Sequence, residues 1–190
     1  MDKFSKMKSS EYDNEKKNKA DILYQDDYIK VIKYDDWSII QEHDVVVCIP
    51  YLIEQNKFIM RQEPIPSFKY ADGQELHVTL VGGAIEQGED SETALIRELQ
   101  EEAGIVLRDG FKIEFEKPLF MTKAHVNKYY CCILNLSEND YHEVKITGDG
   151  TKVEDLSKTF KIDTKYINAV NSSDLVTEYM VDKLKKFLNL

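Results

Sequence analysis

The segment from Gly83 to Ile105, Gly-Ala-Ile-Glu-Gln-Gly-Glu-Asp-Ser-Glu-Thr-Ala-Leu-Ile-Arg-Glu-Leu-Gln-Glu-Glu-Ala-Gly-Ile, constrains the chain more than any other. Asp90 or Ser91 can cap a helix that runs to about Ala103, and Gly104 suits the left-handed residue that ends it. At roughly 100° per residue, Glu98, Glu101 and Glu102 fall on one side of that helix. Leu95, Ile96, Leu99 and Ala103 fall on an adjoining side that can pack into a core. Carboxylates held so close repel one another, and a surface helix gains nothing from the arrangement. A hard divalent cation with oxygen ligands relieves the repulsion; Mg2+ typically takes a few carboxylates and completes its shell with substrate phosphates. Arg97, beside the cluster, can pair with Glu89 or Glu101 and hold its geometry. Taken alone, Glu-x-x-Glu-Glu reads as an ordinary solvated acidic face. The glycine-rich entry and the arginine at a fixed offset favour the cation.

Composition narrows the partners. The chain has 190 residues, enough for one domain with a sizeable core, and a net charge of −10. That charge argues against nonspecific binding to long nucleic acid or to an anionic membrane. An anionic substrate such as a phosphate would need a metal to bridge two negative parties. Cys48, Cys131 and Cys132 are sparse and odd in number, and two are adjacent in an apolar run, which argues against a disulfide framework or a zinc site. His43, His77, His125 and His142 lack metal-ligand spacing. No apolar stretch is long enough to span a bilayer, and the N-terminus is charged rather than signal-like. The expectation is a cytoplasmic protein in a reducing compartment.

Residues 1–20 are polar and read as a mobile tail, leaving 21–190 as one domain. Tyr28–Lys33 and Trp37–Gln41 read as a hairpin around Tyr34-Asp35-Asp36, and Val45–Ile53 as a strand buried on both faces. Gln55-Asn56 turns into a strand over Lys57–Arg61; Pro64, Pro66, Ser67 and Ala71-Asp72-Gly73 mark a loop; Glu75–Val81 is a strand. Phe111–Phe115, Phe120–Thr122 and Tyr129–Leu136 read as further strands, whereas 137–159 is polar and ambiguous. Ser172 or Ser173 caps a final helix to Leu188, with Val176, Met180, Leu184, Phe187 and Leu188 as its core stripe. Periodicity alone gives α/β or α+β.

Gly83, Glu89, Arg97, Glu98, Leu99, Glu101, Glu102, Gly104 and Ile105 together resemble the box of the Nudix hydrolase family, Gly-x5-Glu-x7-Arg-Glu-U-x-Glu-Glu-x-Gly-U, with U a bulky aliphatic residue. From residue frequencies, a chance match at one site is below about one in a billion. The resemblance implies an α/β/α sandwich with a mixed sheet between helices, and hydrolysis of the pyrophosphate of a nucleoside diphosphate linked to another group. It implies Mg2+, with Mn2+ as a substitute, held by Glu98 and Glu102, with Glu101 as a further ligand or orienter. A backbone carbonyl of Gly82 or Gly83 would complete the shell, and Glu89 and Arg97 would fix the helix and its loop. Activated water, rather than a protein nucleophile, would attack phosphorus.

Outside the box the chain is similar to ADP-ribose and other nucleoside-diphosphate-sugar pyrophosphatases. The likeness lies in Val45–Arg61 followed by Gln62, in Gly82-Gly83, and in Ile167–Leu184. Two features depart from that group: Thr79 stands where a Glu is common, and Met121-Thr122-Lys123-Ala124-His125 replaces a Ser-Pro-Gly turn. The resemblance places a catalytic base late in the chain, at Glu154, with Glu138 and Glu143 as competitors. Arg61, one of only three arginines, is a candidate phosphate ligand at a strand end, and Lys123 and His125 are candidates on a loop; a surface salt bridge for Arg61 and exposed-loop roles for the others stay open. The competing functions are removal of a 5′ cap or terminal phosphates from RNA, and a sensor that binds nucleotide without hydrolysing it. Sugar-type relatives often pair through N-terminal strands, so a homodimer is a further expectation.

Overall fold

A computed structural model describes residues 20–148, 150 and 156–190. Their contacts divide the chain into two units, residues 20–42 with Thr122–Val126, and His43–Met121 with Asn127–Leu190. The first unit is an antiparallel sheet of Ala20–Gln25 (β1), Lys30–Tyr34 (β2) and Trp37–Gln41 (β3), in that order. The hairpin forms where the sequence places it: Tyr34 pairs with Trp37, and Asp35 takes the left-handed turn position that Asp tolerates. Strand β1 has no counterpart in the sequence reading, because all six of its residues are exposed and no alternation marks it. Backbone bonds from Ile40 N to Ala124 O and from Val126 N to Ile40 O attach the 122–126 segment to β3.

The second unit is built on Val45–Leu52 (β4), whose apolar, β-branched run suits burial on both faces. It is followed by Lys57–Glu63 (β5), helix Pro66–Asp72 (α1), His77–Thr79 (β6), Val81–Ala84 (β7), helix Ser91–Glu98 (α2) and Ile105–Leu107 (β8). Then come Tyr129–Leu136 (β9), Tyr141–Glu143 (β10), Lys158–Asp163 (β11) and helix Leu175–Leu188 (α3). One edge of β4 carries the parallel strand β9 along its whole length. The other carries antiparallel β7 at Val45–Cys48 and then β5 at Tyr51–Leu52. Pro50 falls between those two registers, where a residue without an N–H is tolerated. Strands β11 and β6 both pair with β5, completing a mixed sheet of six, and β8 and β10 form a separate ribbon.

Alternation along these strands divides the interior in two. Val46, Cys48 and Leu52 of β4, with Cys132, Leu134 and Leu136 of β9, pack with Leu95 and Leu99. Ile49 and Cys131 face the other way, toward Met180, Val181 and Leu184 of α3. Adjacent Cys131 and Cys132 therefore serve opposite cores, as a period of two requires, and the three cysteines are free thiols. Helices on both faces of a mixed sheet make the α/β/α sandwich.

Several elements differ from the sequence reading. The expected loop after Pro64 contains α1, with Pro66 in its first turn and Gly73 closing it at φ 78°. The strand expected over Glu75–Val81 is two short strands, because β6 pairs with β5 and β7 with β4. Residues 111–115 and 120–122 form no regular strand; near Pro118 the chain follows β9 only through isolated bonds such as Leu119 to Tyr129. Asp174, not Ser172 or Ser173, caps α3, and Phe187 lies half-exposed outside the core stripe. Residues 1–19 lie outside the described residues. Among the described residues, no helix is long and apolar enough to cross a membrane.

Candidate active site

Helix α2 starts as the sequence dictates: Asp90 Oδ1 accepts the Thr93 amide at 2.8 Å. At Leu99–Ala103 the helix widens into a single π turn, which ends at Gly104 with φ 63°. Such turns recur at functional sites. Leu95, Leu99 and Ala103 are buried, whereas Ile96, expected on the core side, is exposed and Ala94 is buried instead.

The end of the helix and its turn deliver two carboxylates to the interior, Glu98 at 8% exposure and Glu102 at 6%. Both rest on the glycine pair inside strand β7. Gly82 lies at φ 149°, its amide donates to Glu102 Oε2 at 2.8 Å, and a Cβ there would stand 2.0 Å from the Val46 carbonyl oxygen. At Gly83 a Cβ would stand 2.3 Å from Glu98 Oε1. Any side chain at either position would displace strand β4 or the carboxylate.

Burial raises the Glu98 carboxyl above its usual range although Arg97 pulls it down. Burial raises Glu102 further, to about 9, against the opposing pull of Arg61 and the Gly82 amide. Arg97 links three carboxylates. Its Nε and Nη2 grip Glu89 at 3.0 and 3.1 Å, Nη1 donates to Glu98 at 2.7 Å and to Glu101 at 3.2 Å, and Nη2 also meets the Ala84 carbonyl at 3.1 Å. Arg97 in turn, with the Glu86 amide, holds the Glu89 carboxyl below its ordinary value.

Arg61 is 1% exposed and lies beneath the carboxylates, not at a surface salt bridge. Nη1 meets Glu102 Oε1 at 2.9 Å and Nη2 meets Glu63 Oε2 at 3.3 Å. A bidentate grip on phosphate would require exchanging these partners. Beside Arg61 a cavity of about 220 Å3 opens, lined also by Ile146, Thr147, Gly148, Ser157 and Thr159.

Three participants escaped the sequence reading. Glu63 stands two residues after Arg61 on the same strand face, a signal available from the period of two. Thr79 donates to Glu63 Oε1 at 3.1 Å, and Thr159 donates to the Glu102 carbonyl at 2.6 Å. These contacts depend on the registers of β6 and β11 against β5, which no local pattern encodes.

Lys123 is exposed in the first unit, where His125 Nδ1 lies 3.3 Å from Glu42. Glu138 is exposed and Glu143 pairs with Lys161. Glu154 lies outside the described residues. Among the described residues, no three acidic, histidine or cysteine side chains converge on a point suited to a metal ion; the two arginines supply the positive charge instead. The donor chemistry suits a hard divalent cation: Glu98, Glu101 and Glu102 offer oxygen alone, and glycine at position 83 lets the Glu98 carboxylate sit where a Cβ would stand 2.3 Å from its Oε1. The resemblance assigns the glycine pair a carbonyl contact; the Gly82 contact here is its amide to Glu102.

Residues 42–159, well over half of the chain, match the family model of the NUDIX domain, and the chain belongs to the Nudix family. A crystal structure of an ADP compounds hydrolase aligns with a TM-score of 0.63 at 14% identity, over 90% of this chain and 91% of that one, a likeness of fold. A MutT structure, from Aliivibrio salmonicida or Vibrio cholerae, aligns with a TM-score of 0.49 at 16% identity, over 75% of this chain and 98% of that one. No curated protein sequence matches the chain.

Proposed function

We propose that the chain hydrolyses the pyrophosphate bond of a nucleoside diphosphate linked to another group, with ADP-ribose or a related nucleotide sugar as its substrate and Mg2+ as its cofactor. The carrying observation is the pair of buried carboxylates, Glu98 and Glu102, seated on Gly82-Gly83 and flanked by Arg97 and Arg61. A structural helix face would expose such groups; two carboxylates buried on one turn suit cation binding. When bound, the cation would neutralise phosphate charge and make water a better nucleophile.

The chain's own residues do the rest. Glu98, Glu102 and Glu101 supply oxygen donors, and a Gly82 or Gly83 carbonyl adds another. Arg97 keeps Glu89, Glu98 and Glu101 in one arrangement, so little reorganises when substrate arrives. Glu154 takes the proton from the attacking water, and Arg61 meets the substrate once it exchanges a carboxylate for phosphate. The ADP-ribose preference follows from the sequence likeness outside the box, and a reducing cytoplasm suits the three free thiols.

A panel of nucleoside diphosphate compounds, assayed with Mg2+ and with product identification, tests the reading. AMP release from ADP-ribose is the expected result. Full hydrolysis in excess EDTA after dialysis would remove the metal from the scheme, and turnover of capped RNA in preference to nucleotide sugars would replace the substrate.

A further inference from the structure

Arg61 meets two described carboxylates through its two terminal nitrogens, Glu102 at 2.9 Å and Glu63 at 3.3 Å. The two acids differ in setting. The Glu102 side chain is 8% exposed, while that of Glu63 is 25% exposed at the open end of β5. Glu63 is also fixed from its other oxygen. Thr79, the register partner of Arg61 across β5 and β6, donates its hydroxyl to Glu63 Oε1 at 3.1 Å. A continuous polar chain therefore runs from Thr79 through Glu63 and Arg61 to Glu102 and the Gly82 amide.

Resting on the reading that Glu102 is a cation ligand, we propose that Glu63, oriented by Thr79, is a positioning residue that holds Arg61 when Glu102 turns its Oε1 to the cation. A guanidinium at 1% exposure cannot lose a carboxylate without a large desolvation penalty. Glu63 provides an acceptor already in contact, so Arg61 shifts its weight along the fork instead of following Glu102. Thr79 keeps Glu63 Oε2 turned toward Arg61 by occupying Oε1. Cation affinity at Glu102 thus depends on a threonine hydroxyl that carries no charge and stands at the far end of the chain from Glu102.

The test uses the full chain freed of divalent cations, with Mn2+ binding read from the electron paramagnetic resonance of free Mn2+ and melting temperature measured alongside. Glu63→Gln should raise the Mn2+ Kd about tenfold, the low end of what removing a group behind a metal ligand costs, and Thr79→Val should raise it by a smaller factor. Thr79→Ser keeps the donor and should keep the wild-type Kd. If Glu63→Gln weakens binding while Thr79→Val does not, the effect is the field of one charge and the positioning role is overturned. Wild-type affinity in both variants overturns it equally. Should valine prevent folding, Thr79→Ala supplies the same readout. Glu98→Gln is the reference: loss of tight binding there, with Glu63 and Thr79 variants unaffected, sinks this inference alone. Absence of tight binding in the wild-type chain sinks the underlying reading and this inference with it.

Discussion

Arg97→Ala removes a guanidinium that makes five hydrogen bonds, two to Glu89, one each to Glu98 and Glu101, and one to the Ala84 carbonyl. The magnitude turns on how far the abandoned partners are from water. An exposed ion pair contributes about 0.2–1 kcal/mol, and stranding one member of a buried pair costs about 3–5 kcal/mol. The Arg97 side chain is 25% exposed and that of Glu98 is 10% exposed, so the Glu98 contact lies near the buried limit. Loss of that contact sets the expected destabilisation at about 3 kcal/mol. For a chain of this length that corresponds to a fall of about 10 °C in melting temperature. Arg97→Lys keeps the charge but not the fork, and should fall about half as far. Thermal melting without divalent cation measures the loss. Repeating it with excess Mg2+ should recover part of the deficit, because the stranded carboxylates gain another counter-ion. If Arg97→Ala melts within about 2 °C of the wild type, the contact with Glu98 is worth no more than an exposed ion pair, and the argument from burial fails.

Three further outcomes follow from the same geometry. Glu98→Gln and Glu102→Gln should each lower kcat at least about a hundredfold, a barrier increase of roughly 2.7 kcal/mol; near-native turnover in steady-state assays removes the ligand assignment. In cation-free buffer, stability should fall as pH rises from about 4.5 toward about 9, because the folded chain keeps a proton on Glu102 that the unfolded chain has released. Denaturant titrations across that window should show a flatter profile for Glu102→Gln, and an unchanged slope would refute the assignment. Glu154→Gln should depress kcat with KM and metal affinity nearly unchanged, and a larger kcat loss in Glu143→Gln would move the base to Glu143.

The sequence marks much of this site because its signals are local. The Asp90 cap, the closing Gly104 and the clustering of Glu98, Glu101 and Glu102 all follow from spacing within one helix. Strands β4 and β9 are equally legible, since both are apolar runs bounded by polar residues. What escapes depends on registers between distant segments. Arg61 reads as a surface or substrate-facing arginine until β5 is placed under the turn of α2, where Glu102 and Glu63 divide its fork. Thr79 reads only as a departure from an expected Glu until its pairing opposite Arg61 brings it to Glu63. Helix α1 was hidden by its own punctuation: two prolines and a glycine suggest a loop, although proline in the first turn and glycine beyond the last are helix boundaries.

The π turn at Leu99–Ala103 makes the distance between Glu98 and Glu102 a property of backbone winding. Glu98 closes the regular helix, and Glu102 belongs to the widened turn. Inserting a further residue between them, in a turn already widened, would rotate everything beyond by roughly 100°. Glu102 would leave the Gly82 amide and Arg61, and Ala103 and Ile105 would leave the core together. The acidic motif is therefore intolerant of added length even where its composition is preserved. A single-residue insertion here alters catalysis and folding in one event, whereas a side-chain substitution can alter the first alone.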